Sequence, residues 1–193
     1  QQESQFVVHV IQELIQKENR TLDDFAVLYR TNAQSRVMEE VLIKSNMSYT
    51  IVGGTKFYDR KEIKDLLAYL RLIANNDDDL SLARIINEPK RAIGATSFEK
   101  MALYAFEQDR SIFDAMQELV FMGVTGKAAA AADKFYTMIQ SLSARQEQLS
   151  VTAIVEEVIE KSGYRAMLEG EKSIEAQSRL ENIEEFLTVT QAF

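Results

Sequence analysis

The sequence predicts a short α/β segment with an incomplete parallel sheet, followed by an all-α domain of several helices with helix-hairpin-helix-like turns. In the first 56 residues, two short apolar runs alternate with amphipathic helical patterns. After that point the apolar residues recur with the helical period. One proline and seven glycines in 193 residues leave few breaks between elements. A chain of this length holds one ordinary domain, or a partial domain plus a small complete one.

The first segment has the order helix, strand, helix, strand. The stretch "FVVHVIQELIQKE" places its apolar residues on one helical face, and "SRVMEEVLIKSN" does the same. The short apolar runs "FAVLYR" and "YTIVGG" predict strands, the second of which ends at a glycine pair. This order is typical of a parallel sheet, but two strands do not form a stable sheet alone. We therefore expect further chain to complete it.

The rest of the chain predicts helices. The first, "DRKEIKDLLAYLRLIAN", has an apolar stripe and Asp59 as its predicted N-cap. The acidic run Asp77-Asp78-Asp79 predicts another helix start, because acidic side chains favour the positive end of the helix dipole. Ser150 and Gly163 are predicted to begin and end a later helix. The other helical stretches are "DDDLSLARIIN", "SFEKMALYAFEQD", "SIFDAMQELVF", "KAAAAADKFYTMIQSLSARQEQ", "YRAMLEGEK" and "IEAQSRLENIEEFLTVTQAF".

Composition excludes several classes of site. The chain has no cysteine, which excludes disulfides and thiolate metal sites and fits a reducing compartment. The one histidine, His9, does not form a zinc cluster alone. No stretch approaches the roughly 20 apolar residues that cross a bilayer, and the N-terminus does not resemble a signal peptide. We expect a cytoplasmic chain with no metal site, no catalytic set and no membrane partner.

The formal net charge of -8 argues against a generic nucleic-acid binder, since such domains are commonly basic. The charge is unevenly distributed, however. Residues 146–193 carry four basic and ten acidic side chains, whereas residues 84–145 carry eight basic and seven acidic ones. The charge of the middle of the chain is therefore compatible with binding to phosphate.

The stretch "NEPKRAIGATSFEK" combines two cations with a glycine just before a predicted helix. A helix start has unpaired amides and a partial positive charge, so it is suited to bind an anion. Gly94 permits a positive φ and close approach of a ligand. A weaker copy, "FMGVTGKAA", joins two later helices. The residues predicted to hold a duplex backbone are Lys90, Arg91, Ile93, Gly94, Ala95, Thr96, Ser97, Gly126 and Lys127. An ordinary solvated turn is the alternative.

Three stretches together resemble consecutive segments of superfamily 1 helicases, in order and in spacing. They are "FAVLYRTNAQSRVMEE", "IVGGTKFYDRKEIKDLLAYLRLIANNDDDLSLARIIN" and "PKRAIGATSFEK". The chain is most similar to the PcrA/UvrD group of bacterial 3′-to-5′ DNA helicases, over essentially its whole length. The resemblance implies that residues 1–56 are the first part of subdomain 2A, a RecA-like α/β lobe. Residues 57–193 would be the helical subdomain 2B.

The same resemblance implies a parent enzyme that uses ATP and Mg²⁺ in DNA replication and repair. No GxxxxGK[ST] phosphate loop occurs in the sequence, and the late motifs of subdomain 2A would lie beyond Phe193. We therefore expect no cofactor in this fragment and no activity from it alone. The implied partners are a single-strand/duplex DNA junction, the remaining helicase subdomains, and proteins of repair or transcription.

By the resemblance, part of the chain contacts single-stranded DNA. The implied residues are Arg30, Asn32, Thr55, Lys56, Phe57 and Arg60. Arg30 and Asn32 follow a predicted strand, where open α/β sheets place ligand groups. Phe57 would stack on a base, or alternatively anchor a helix to the core. The glycine pair Gly53 and Gly54 is the implied hinge for rotation of 2B.

One position departs from the family pattern. The duplex-binding loop of the family usually begins with glycine, and Ala92 stands there in this sequence. Alanine fits that position if its φ is negative. The rival prediction is that the helical domain is a protein-docking and autoinhibitory module with little DNA contact, which the net acidity and Ala92 favour.

Overall fold

The computed structural model describes all 193 residues as ten α-helices with 3₁₀ turns and loops between them. None of the helices is long and apolar enough to span a bilayer. The α-helices are α1 (Gln2–Glu18), α2 (Ser35–Lys44), α3 (Lys61–Ala74), α4 (Asp79–Ile85), α5 (Ala95–Glu107), α6 (Ile112–Ala115), α7 (Gly126–Arg145), α8 (Val151–Lys161), α9 (Tyr164–Glu171) and α10 (Ile174–Thr190). The 3₁₀ turns cover Leu22–Asp24, Asn32–Gln34, Phe57–Asp59 and Met116–Met122.

The apolar core belongs to the second part of the chain. Its cluster of 33 buried residues runs from Phe57 to Leu187 and includes none before Phe57. Helix α3 lies at its centre, in contact with α4, α7, α8 and α10. The apolar stripe predicted for α3 is confirmed, since Ile63, Leu66 and Leu72 are fully buried. Each such side chain contributes about 1.5–3 kcal/mol on burial, so α3 organises the domain.

Helices α1 and α2 form a separate pair beside this core. Val8 and Ile11 of α1 and Val41 of α2 are buried, and the two helices contact each other. Apolar side chains of α1, among them Ile11, line an open groove of about 230 Å³ together with Phe25–Val27. The first part of the chain is therefore held to the second mainly by polar contacts.

The predicted RecA-like parallel sheet is wrong. No residue of the structure lies in a β-strand or bridge. The runs "FAVLYR" and "YTIVGG" lie outside the helices but do not hydrogen-bond to each other. Leu28 and Val52, one in each run, are 94% and 93% exposed, respectively. An extended segment becomes a strand only when a neighbour pairs with its amides and carbonyls, and no neighbour does so here. The fold is all-helical.

Helix ends follow the sequence at most of the predicted positions. Asp78 caps α4 by accepting a hydrogen bond from the Ser81 amide at 3.0 Å, and Ser150 caps α8 in the same way. Gly163 follows α8 with a φ of 81°, as predicted for a residue just past a helix end. Asp59 is not the cap of α3, since Arg60 occupies that position. Asp59 lies one residue too early, inside the preceding 3₁₀ turn.

Candidate nucleic-acid interface

The start of α5 has amides without a hydrogen-bond partner in the chain. Its N-cap is Gly94, which has no side chain to accept hydrogen bonds from the first turn. The amides of Ala95, Thr96 and Ser97 make no hydrogen bond within the chain. Ala95 and Thr96 are exposed. The helix dipole and these donors together make the end of α5 electropositive, as an anion site requires.

The two cations before this helix have different environments. Lys90 is exposed and forms no ion pair or hydrogen bond. The guanidinium of Arg91 instead points inward and donates to the carbonyl oxygens of Ile85 at 2.8 Å and Ser162 at 3.2 Å. The Lys90 ammonium is therefore available to bind a phosphate, whereas the Arg91 guanidinium is hydrogen bonded within the fold.

Arg91 also contacts two aromatic rings and joins several helices. It lies 5.3 Å from the ring centroid of Phe135 in α7, and it donates to the hydroxyl of Tyr69 in α3. Burial raises the pKa of the Tyr69 phenol to about 12, so the hydroxyl stays neutral at physiological pH. Contact of Arg91 with DNA stays a prediction, and its position here gives it a structural role.

The loop between α4 and α5 is fixed by Asn87. Its side-chain oxygen accepts hydrogen bonds from the Arg91 amide at 2.7 Å and the Ile93 amide at 3.3 Å. Ile93 is only 2% exposed, so its side chain anchors the loop in the core. Ala92 has the positive φ of this loop, 61°. Gly94, where the sequence allowed a positive φ, has a φ of -76°. The condition under which alanine fits position 92 without strain is therefore not met.

Replacing Ala92 with glycine is expected to stabilise the protein by roughly 0.5–1 kcal/mol, because glycine adopts a positive φ without the steric cost that alanine carries. Urea denaturation monitored by circular dichroism measures the change. Ala130→Gly, an exposed site inside α7, is the matched control and should destabilise by about 1 kcal/mol. A less stable Ala92→Gly protein would contradict the interpretation of the loop.

A second helix start resembles the first. Gly123 and Gly126 have φ values of 71° and 63°, respectively, and Thr125 precedes α7 without capping it through its side chain. Lys127 is exposed and has no partner. The ammonium of Lys100 in α5 donates to the Gly123 carbonyl at 3.3 Å. This bond links α5 to the loop before α7.

The predicted single-strand residues at positions 30 and 32 lie on one turn. The side chain of Arg30 is exposed and unpaired, while its amide donates to the Gln34 side chain at 2.8 Å. The side-chain amide of Asn32 donates to the Ser178 hydroxyl of α10 at 3.2 Å. Arg30 is thus accessible, and Asn32 is attached to the helical domain.

Residues 55–60 separate into exposed and buried members. Thr55 and Lys56 are exposed, and Lys56 lies 4.7 Å from the ring centroid of Tyr49. Phe57 is 1% exposed and belongs to the core, which agrees with its alternative role as an anchor. Arg60 is 7% exposed, and its guanidinium donates to the Asn32 carbonyl at 2.9 Å. DNA contact by these residues stays a prediction.

The predicted hinge lies in an exposed turn. Gly53 has a φ of 76° and Gly54 follows it, both at the surface. A Cβ on Gly53 would meet no atom within 4 Å, so its backbone conformation, not space, favours glycine there. Rotation about this pair stays a prediction.

A protein-family model described as the UvrD-like helicase C-terminal domain matches residues 1–193. The chain belongs to the UvrD-like helicases. Three curated relatives carry the name ATP-dependent DNA helicase PcrA. The protein of Bacillus subtilis strain 168 is 59% identical over 191 residues, and that of Staphylococcus aureus strain Mu50 is 55% identical over 187. That of Staphylococcus epidermidis strain ATCC 35984 is 55% identical over 183.

These matches cover 99%, 97% and 94% of the chain, respectively. They cover only 26%, 26% and 25% of the relatives, so this UvrD-like helicase chain spans about a quarter of their length. The predicted PcrA/UvrD-type family is confirmed.

The sequence did not identify the polar residues that hold the predicted DNA-contacting segments of this UvrD-like chain in place. Asn87 fixes the loop, and asparagine at a helix end before proline is a detectable turn signal. Ser35, Glu39 and Asn182 are buried polar residues around Arg60, and they give no local signal. Asn182 lies 122 residues from Arg60 in sequence, so only the folded chain shows that the two are in contact.

Proposed function

We propose that this chain is a DNA-binding portion of an ATP-dependent DNA helicase. The helix starts at Ala95 and Gly126 hold duplex phosphates, and the turn of Arg30 and Asn32 holds the single strand. The observation that carries this proposal is the row of unpartnered amides at the start of α5 beside the exposed Lys90. Contacts of this kind do not depend on base sequence, because they involve only the phosphate backbone.

Within the parent protein, residues 1–56 are the first part of subdomain 2A and residues 57–193 belong to subdomain 2B. The start of the apolar core at Phe57 supports this boundary. The exposed glycine pair at 53 and 54 immediately precedes it, as a hinge between two subdomains requires. The two parts then meet through polar contacts, such as the ion pair of Arg36 with Glu185 at 2.6 Å.

The parent hydrolyses ATP with Mg²⁺ and moves along one DNA strand. The relatives are named ATP-dependent DNA helicases, which supports this assignment. In the present chain, no group of three or more His, Cys, Asp or Glu side chains is arranged to hold a metal ion. We propose that the present residues bind and orient DNA, and that they are inactive alone because the sequence contains no GxxxxGK[ST] phosphate loop.

Replacing Lys90 and Lys127 with alanine is expected to weaken binding to a single-strand/duplex junction about tenfold. The slope of log affinity against log salt should fall by about 2, since each lysine that meets a phosphate contributes about 1. Fluorescence anisotropy of the intact protein with a labelled junction, measured at several salt concentrations, gives both numbers.

Lys134→Ala is the matched control for this experiment. Lys134 is exposed on α7, like Lys127, and has no ion-pair partner, but it lies away from the helix start. Its replacement should leave affinity and salt slope within about twofold of the wild type. An unchanged slope in the Lys90→Ala/Lys127→Ala protein would exclude the two helix starts as the duplex site.

A second candidate function is protein docking by the helical domain. Phe106 and Phe121 are 83% and 72% exposed, and the last 48 residues are strongly acidic. Large exposed apolar side chains mark interaction surfaces when they are contiguous. This function is favoured if the lysine variants bind the junction normally while Phe106→Ser abolishes association with a partner protein.

A further inference from the structure

Arg60 lies at the centre of a buried polar cluster at the boundary between the two parts of the chain. Its side chain is inside the protein, and its guanidinium donates four hydrogen bonds to neutral acceptors. The acceptors are the Thr55 carbonyl at 3.3 Å, the Asn32 carbonyl at 2.9 Å, the Asn182 side-chain oxygen at 2.9 Å and the Ser35 hydroxyl at 2.7 Å. These acceptors come from three separate segments.

The charge of Arg60 is compensated through two of these neutral partners. The Ser35 hydroxyl donates to the Glu39 carboxylate at 2.7 Å, and the Asn182 side-chain amide donates to the Glu62 carboxylate at 2.6 Å. Both carboxylates are at most 5% exposed. A buried cation costs several kcal/mol unless partners satisfy it. The cluster Glu39–Ser35–Arg60–Asn182–Glu62 provides such partners in a continuous chain of hydrogen bonds.

This arrangement fixes the turn that presents Arg30. Arg60 holds the Asn32 carbonyl from one side, and Ser178 of α10 accepts from the Asn32 side chain on the other. Glu39 also accepts from the Phe57 amide at 3.2 Å, which ties α2 to the start of the core. The turn is therefore held directly against the helical domain.

We propose that Arg60 is a positioning residue that sets the orientation of the Arg30–Asn32 turn relative to the helical domain. In this role it does not touch DNA. It fixes the position of the turn that contacts the single strand relative to the helix starts that bind the duplex. This inference rests on the proposed function, because it assigns a regulator to the same DNA site.

Arginine suits this role better than lysine. Its planar guanidinium has five donors in a fixed fork, which lets one side chain reach three segments at once. A lysine ammonium at the end of a flexible stem holds fewer of these acceptors in place. Arg60→Lys is therefore expected to loosen the Arg30–Asn32 turn as much as removal of the guanidinium does, although lysine keeps the positive charge.

The test compares Arg60→Lys and Arg60→Met with Ile139→Ala in the intact protein. Ile139 is fully buried in α7, so its truncation lowers stability without touching the turn. Hydrogen exchange of residues 30–36, measured by mass spectrometry, reports on the turn without DNA. Its amides at Thr31, Gln34 and Ser35 are hydrogen bonded in the structure.

Both Arg60 variants should accelerate exchange of this segment about tenfold or more, and both should weaken single-strand binding about tenfold while duplex binding is retained. Ile139→Ala should change neither the exchange of residues 30–36 nor the affinity for single-stranded DNA. Unchanged exchange in the Arg60 variants, or equal acceleration in Ile139→Ala, would overturn the positioning role. Faster exchange with unchanged single-strand affinity would overturn it as well.

A separate variant distinguishes failure of this inference from failure of the proposed function. Arg30→Ala should weaken single-strand binding about tenfold without changing exchange of the turn, because its exposed side chain forms no hydrogen bond or ion pair in the fold. If Arg30→Ala has no effect, the proposed single-strand contact is wrong and the turn has no DNA to position. The exchange data still decide whether Arg60 fixes the turn.

Discussion

Replacing Arg91 with alanine is expected to lower the free energy of unfolding by about 3 kcal/mol, because hydrogen bonds from a charged donor are worth about 1.5–3 kcal/mol each and several are lost together. The guanidinium donates to main-chain carbonyls at the end of α4 and to Ser162 after α8. Without it, these carbonyl oxygens lose the guanidinium donor, and the Ile85 carbonyl keeps only the Glu88 amide. Contact with the Tyr69 and Phe135 rings is lost as well.

Urea denaturation of Arg91→Ala and Lys90→Ala provides the measurement and its control. Lys90 is the neighbouring cation, is exposed and forms no hydrogen bond or ion pair, so its replacement should change stability by less than about 0.5 kcal/mol. Equal stability of the two variants would show that Arg91 is not structural. If the expected difference is found, a Lys90→Ala/Arg91→Ala double variant does not test DNA binding, because loss of folding accounts for loss of affinity.

Replacing Asp65 with alanine is expected to lower the free energy of unfolding by about 3 kcal/mol, because each hydrogen bond to a charged group is worth about 1.5–3 kcal/mol and the substitution removes several of them. Asp65 is 1% exposed on α3. Its carboxylate accepts from Arg84 at 2.8 Å, Lys61 at 2.9 Å and the Tyr164 hydroxyl at 2.6 Å. It therefore joins α3 to α4 and to α9.

The loss of Asp65 leaves the Tyr164 hydroxyl without an acceptor. Burial, and then the hydrogen bond to the Asp65 carboxylate, raise the pKa of the Tyr164 phenol well above its usual value. In a Tyr164→Phe background, Asp65→Ala should cost at least about 0.5 kcal/mol less, because contacting residues couple by this amount or more. Denaturation of the four proteins measures the coupling. Asp133→Ala, at an exposed site of α7, is the control and should leave the free energy of unfolding unchanged. Strictly additive changes in that free energy for Asp65→Ala and Tyr164→Phe would show that the two residues do not interact.

The sequence was sufficient to predict the helical domain because its signals are local. The apolar period of α3 and the caps at Asp78 and Ser150 depend on residues within a few positions of each other. The sheet prediction failed because strand pairing is not local. The runs around Leu28 and Val52 have the composition of strands, but they find no hydrogen-bonding partner in the fold.

The sequence predicted which loop precedes the start of α5, but it did not predict which side chains of that loop are exposed. Lys90 and Arg91 are adjacent in sequence and equally basic, yet one is free and the other is bound inside. What separates them is the position of Ser162, 71 residues from Arg91 along the chain. The positive φ at Ala92 was also unpredicted, because the glycine that would normally mark it lies two residues later.

The location of the core also bears on the order in which the chain acquires its structure. Every residue of the 33-residue apolar cluster follows the exposed Gly53–Gly54 turn. The apolar contacts of the core are therefore made entirely within residues 57–193. The surface that holds the first 56 residues is complete only once α10 has folded, because Ser178, Asn182 and Glu185 all lie on that helix.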